Sequence, residues 1–286
     1  MHISIANMQV FIIPVSIFQG FLFYRLYIIG HEASHGLLFI DYHLLNKFAG
    51  TFILFPILTP LSIFRVIHQF HHKYNRKNAH TSSLDTFVIH SQSCFIKVYY
   101  YAIWYISVFC GGFFFHSLVS VILFLFVPPF LANRISPAFQ GWNLSLQLQS
   151  ISEFMLALFF HILLYKLTSQ DLYMHFIGYP FISFAFILSS MLYIFHYRTT
   201  NGEEARFHAR SLRPSFFLSW ILLNFNEHAT HHQKPNIPWY DLPSKRMELP
   251  SYYKEKNETV STFLSAILQQ WKGPTLIYEP YTKSNS

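Results

Sequence analysis

Long apolar stretches alternate with three short histidine-rich ones along this chain, and that alternation limits its fold more than any other feature. A helix needs about 20 apolar residues to span the hydrocarbon of a bilayer. Ile3 to Ile29 is long enough; Pro14 is a kink point within it, and Arg25 near its end can snorkel to the interface. Ile151 to Leu167 and Leu172 to Phe195 are further candidate spans. Phe48 to Phe64 is shorter and holds Pro56 and Pro60, so it reads either as a span or as a re-entrant or interfacial segment. Phe95 to Val127 is interrupted by Gly111-Gly112 and reads as one tilted helix or a tight hairpin, whereas Pro214 to Phe225 is too short to cross.

Composition agrees. Of 286 residues, 52% are hydrophobic and only 12% charged, about half the charge of an ordinary soluble domain. This implies one membrane domain over residues 1–286, with a core to residue 245 and a tail over 246–286. In the tail, Val260, Phe263, Leu264, Ile267, Leu268 and Trp271 form one apolar stripe at helical spacing, predicting an amphipathic helix from Asn257 to Trp271. The net charge of +7 comes from basic residues beside apolar segments, which suits membrane orientation rather than nucleic acid. No nucleic-acid-binding motif is present. Cys94 and Cys110 lie in or beside apolar stretches and read as small packed hydrophobes, not as a disulfide or thiolate site. No basic stretch precedes the first apolar run, so that run is expected to stay as a membrane helix and not be cleaved as a signal peptide.

The histidine clusters are His31-Glu-Ala-Ser-His35, His68-Gln-Phe-His71-His72 and His228-Ala-Thr-His231-His232. Residues three and four apart share a helix face, so each cluster can aim its imidazoles at a metal, the adjacent pairs dividing between two ions. Imidazole suits iron, zinc, copper and nickel. At this histidine frequency an HxxxH pair arises by chance about once per chain and an HxxHH triplet only about 0.06 times, so the repeated triplet carries the signal. The clusters supply eight imidazoles. His196 and His208 are candidates for a ninth, and His196 is preferred because it directly follows the last long apolar run. His116, His161 and His175 read as packed residues, and His2, His43, His80 and His90 as terminal or loop residues. Glu32, Asp85, Glu227 and Asp241 lie near the clusters and are candidate carboxylates for orienting the rings. If the clusters build one site they share one membrane face. Lys73, Arg76, Lys77, Arg198 and further basic residues fall on that side, while the connection from Pro128 to Ser150 holds only Arg134. The histidine face is therefore expected to be cytoplasmic.

The order HxxxH, HxxHH, HxxHH among apolar helices resembles the membrane fatty acid desaturase superfamily. Gly30-His-Glu-Ala-Ser-His-Gly36 is similar to that family's first box, and Asn226-Glu-His-Ala-Thr-His-His232 with the proline-rich Pro235 to Pro243 is similar to its third. The resemblance implies an all-α membrane protein, a transmembrane helical bundle with a cytoplasmic, histidine-lined di-iron cap. It implies an enzyme whose two irons use O2 to remove hydrogen from a fatty acyl chain. By position it makes His31, His35, His68, His71, His72, His228, His231 and His232 iron ligands, with His196 matching the family's further histidine upstream of the last box. No cytochrome b5-like heme motif is present, so the resemblance also implies a separate electron donor such as ferredoxin or cytochrome b5.

Other readings stand beside this one. His208-Ala-Arg-Ser211 and Pro238 to Arg246 are similar to stretches in carotenoid ketolases, which share the scaffold, although Glu32 stands where those enzymes more often carry Asp. His31-Glu-Ala-Ser-His35 also fits the HExxH pattern of zinc metalloproteases, but a single zinc with three protein ligands leaves both triplets unexplained. A carboxylate di-iron site needs paired Glu-x-x-His motifs, of which only Glu32–His35 fits. A metal transporter would place its site near the bilayer midplane, whereas these clusters flank the apolar segments.

Overall fold

The longest helix is α1 (Ile5–His35) in the computed structural model, which describes residues 5–78 and 83–280. It carries the first histidine cluster on its last turn. α2 (His43–Leu54) packs beside it because two glycines remove the side chains between them: a Cβ on Gly30 would collide with Leu54, and one on Gly50 with Ala33. The chain then turns by 94° into α3 (Leu61–Tyr74). Proline at position 60 and Leu58 in the left-handed region make that break. This bent pair starts beside the C-terminal end of α1, where Asn46 donates to the Ala33 carbonyl, and returns to it at His68. Phe48–Phe64 is therefore a bent segment rather than one straight helix.

A short strand β1 (Thr86–Ile89) precedes α4 (Cys94–Phe109) and α5 (Gly112–Phe126). These two are neither one tilted helix nor a hairpin. They meet at 87°, and Gly111 makes the corner with φ +79°, a conformation costly for any residue with a Cβ. After α6 (Pro129–Ile135) comes α7 (Leu144–Leu167), whose first turn is capped by the Asn143 side chain. α8 (Gln170–Tyr173) passes through a π-turn at Met174–Gly178 into α9 (Tyr179–Met191), the main packing partner of α1. Beyond it lie α10 (Phe216–Ile221), α11 (His228–Gln233), α12 (Ser251–Asn257), α13 (Phe263–Gln269) and β2 (Thr275–Tyr278).

Among the described residues three helices are long and apolar enough to cross a membrane: Phe11–His35, Leu144–Leu167 and Gln170–Met191. Their outer faces carry exposed Phe11, Ile13, Phe159 and Ile162, as lipid contact requires and water would penalise. The protein is a membrane protein, and mostly helical. The all-helical expectation needs one correction, because β2 pairs in parallel with β1, Thr86 facing Thr275. The tail is corrected too. Its helix starts at Phe263, where Thr262 and Ser265 form a capping box, and not at Asn257. Its stripe divides: Phe263 joins the core beside Phe195, while Leu264, Leu268 and Trp271 stay exposed. Cys94 and Cys110 are exposed free thiols rather than packed residues. His2 and His80 lie outside the described residues.

Candidate metal centre

Three helical segments and one turn deliver nine imidazoles to the same end of the bundle. α1 presents His31 and His35 one turn apart. α3 presents His68, His71 and His72. α11 presents His228, His231 and His232. His196 comes from the turn that follows α9. The rings fall into two groups, within each of which the candidate ligand atoms lie within 4.8 Å of one another. His31, His35, His68, His72 and His231 form one; His71, His196, His228 and His232 form the other. The groups adjoin, with the rings of His72 and His232 stacked at 4.4 Å. Adjacent residues divide between them, His71 from His72 and His231 from His232. His208 joins neither group; its Nδ1 meets the Thr200 hydroxyl and its Nε2 the Gly202 carbonyl.

The surrounding elements hold these helices in register. Arg65, on α3, donates from Nε and Nη2 to the Ser34 and Ala33 carbonyls at the end of α1. The buried Glu153 of α7 accepts from the backbone N–H and hydroxyl of Ser62, capping the start of α3. Ser211 accepts from Ala229 N–H, and Thr230 from Met247 N–H, so the third cluster is tied on both sides.

Of the carboxylates expected near the rings, Glu32 comes closest, 3.7 Å from Nδ1 of His31. It is buried and accepts from the Trp239 backbone N–H, pinning the proline-rich segment over the first cluster. Asp85 works one step back. It pairs with Arg76 at 2.5 Å and accepts from Arg198 N–H, holding the turn that carries His196. Glu227 is buried beside Arg246, and Asp241 is paired with Lys245 at the surface. Sequence reasoning missed Arg65, Glu153 and Asn75, whose side-chain amide donates to the His208 carbonyl. Each acts on a segment distant in the chain, and no local spacing marks such a partner.

The model of the fatty acid desaturase family matches residues 9–263, most of the chain. The chain belongs to the fatty acid desaturase family. No curated protein sequence gives a significant match. For a desaturase, membership carries a desaturase-type oxidoreductase function, a membrane setting, a lipid substrate and dependence on metal.

The ring nitrogens of this family member fit a metal better than they fit one another. Nε2 of His68 lies 2.9 Å from Nε2 of both His35 and His72, and Nε2 of His72 lies 3.0 Å from that of His231. A neutral ring nitrogen has either one proton or one lone pair, so hydrogen bonds cannot satisfy that whole series. A cation can take all the lone pairs at once. Two imidazole nitrogens at right angles on one ion, each about 2.1 Å away, are about 3 Å apart. The second group shows the same spacing, with 3.0 Å between Nε2 of His196 and His228 and 3.3 Å between those of His71 and His232. Among the described residues, neither ring nitrogen of the buried His31 has a hydrogen-bond partner. Burial, reinforced by neighbouring imidazoles, holds His196, His228, His231 and His232 well below the ordinary histidine value. They stay neutral at physiological pH, the form that binds metal.

Proposed function

We propose that this desaturase is a multi-pass, integral-membrane di-iron enzyme that uses O2 to desaturate fatty acyl chains, with His31, His35, His68, His72 and His231 holding one iron and His71, His196, His228 and His232 the other. The observation that carries the reading is the gathering of nine imidazoles, six of them buried and three half-buried, into two adjoining groups at one end of an apolar bundle. Iron bound there would supply activation of O2 and removal of hydrogen from an unactivated C–H bond. The chain's own residues set the geometry. α1 and α3 are locked together by Arg65, α3 is capped by Glu153, and Glu32 holds the segment around Trp239 across the first group. The clustered basic residues on the histidine side support a cytoplasmic position for that side, where a separate carrier such as ferredoxin or cytochrome b5 would deliver electrons.

Ligand number favours this reading over an HExxH zinc centre, which uses three protein ligands, whereas His31 and His35 belong to a group of five imidazoles here. The test is expression in a host that supplies both fatty acids and carotenoids, with mass analysis of both pools. Wild-type protein should yield acyl chains lighter by two hydrogen atoms. His71→Ala and His231→Ala should insert normally and yield none. Oxygenated carotenoids with unchanged acyl chains would move the chain to the ketolase branch, and full activity in either variant would overturn the ligand assignment.

A further inference from the structure

His196 differs from the other eight imidazoles in how it is held. The others project from α1, α3 and α11, so helix geometry fixes their direction. His196 sits in the non-helical turn after α9, where no regular backbone repeat aims the ring. It is also, among the described residues, the one ring of the nine whose second nitrogen has a hydrogen bond from the protein. Its Nδ1 lies 2.9 Å from the backbone carbonyl of His208. Asn75 completes this contact. It lies one helical turn beyond His71, 4% exposed, with its side-chain nitrogen 3.0 Å from the His208 carbonyl and 3.0 Å from Nδ1 of His196.

We propose that Asn75 is a positioning residue for the four-imidazole group: its amide holds the His208 carbonyl against Nδ1 of His196 and fixes the ring with Nε2 turned into the group, where metal would bind. The proposal rests on the two-metal reading above. A ring that offers Nε2 to metal carries its proton on Nδ1, and His196 then donates to the His208 carbonyl, which also accepts from the Asn75 amide and the Thr199 hydroxyl. Nε2, 3.0 Å from Nε2 of His228, then carries a lone pair directed into the group. Metal-bound histidines commonly donate their other N–H to a carbonyl or carboxylate, and loss of that partner typically costs 10–100-fold in metal affinity. His208 thus serves the centre through its main chain, while its own ring is engaged by Thr200 and Gly202.

Titrating Co2+ into chelator-stripped, full-length protein in detergent tests this. Visible absorption and calorimetry would count the ions and give each affinity. Wild type should bind two. Asn75→Ala should bind one as wild type does and the other about 10–100-fold more weakly, with the spectrum of the five-imidazole group unchanged. His208→Ala, which keeps the carbonyl, should still bind two with near wild-type affinity, and it tests the proposal even where Asn75→Ala does not fold. Unchanged affinities in Asn75→Ala, equal weakening of both ions, or loss of an ion in His208→Ala would each overturn the proposal. Wild-type protein that binds fewer than two ions would instead remove the two-metal reading, and this inference with it.

Discussion

At the residue scale, Glu32 separates a structural carboxylate from a catalytic one. It is buried and accepts from Trp239 N–H. Glu32→Gln keeps an acceptor there and should leave stability close to wild type. Glu32→Ala strands a buried N–H and should cost about 1–3 kcal/mol in chemical denaturation; equal stability of the two variants would show that this hydrogen bond is not what matters. Histidine titration gives a second expectation. His196, His228, His231 and His232 are held well below 6.5 in the fold, so below about pH 6.5 the unfolded chain binds more protons than the folded one. Stability of the metal-free protein should therefore fall as pH drops through that window, by up to about 1.4 kcal/mol per pH unit for each such ring. Thermal midpoints of chelated protein from pH 8 to pH 5 would show it, and a flat profile would contradict the burial of these rings. The spacing of the histidines was legible in the sequence because helical neighbours at three and four residues are a local property. Asn75 was not legible, since its partners His196 and His208 lie more than a hundred residues away and reach it only through the fold.

At the scale of elements, the bent pair α2–α3 shows what apolar patterning can and cannot specify. The short stretch with two prolines announced a break, and the structure supplies its angle and its return to α1. That return depends on contacts from other helices. Glu153 caps the start of α3 from α7, and Arg65 fastens its middle to the end of α1. Glu153→Ala removes the cap and the carboxylate that faces Arg65, and should lower stability by about 1–2 kcal/mol. Since α3 carries three of the imidazoles, metal affinity should drop in parallel, and an unchanged affinity would show that the cap does not position the second cluster. The corner between α4 and α5 was readable as a pair of glycines but not as a right angle, because either residue could have closed a hairpin instead.

At the scale of the whole molecule, the tail is bound into the structure around the metal centre. Asn257, fully buried, accepts from Thr200 N–H and donates to the Thr200 hydroxyl and the Phe207 carbonyl. Arg210 joins Gln269 to the Tyr197 carbonyl, and β2 pairs with β1. The apolar stripe foretold a tail helix but not these polar ties, which involve single side chains with no periodic signature. Asn257→Ala should cost about 1–3 kcal/mol in denaturation, and an unchanged midpoint would show that the tail is not part of the cooperative unit. The account as a whole stands on metal number and identity. Elemental analysis and Mössbauer spectroscopy of the purified full-length protein test it most directly. Two iron ions per chain in nitrogen-rich sites, reduced when His71 or His231 is replaced by alanine, is the result the account predicts; a single zinc ion, or iron that is indifferent to both replacements, would contradict it.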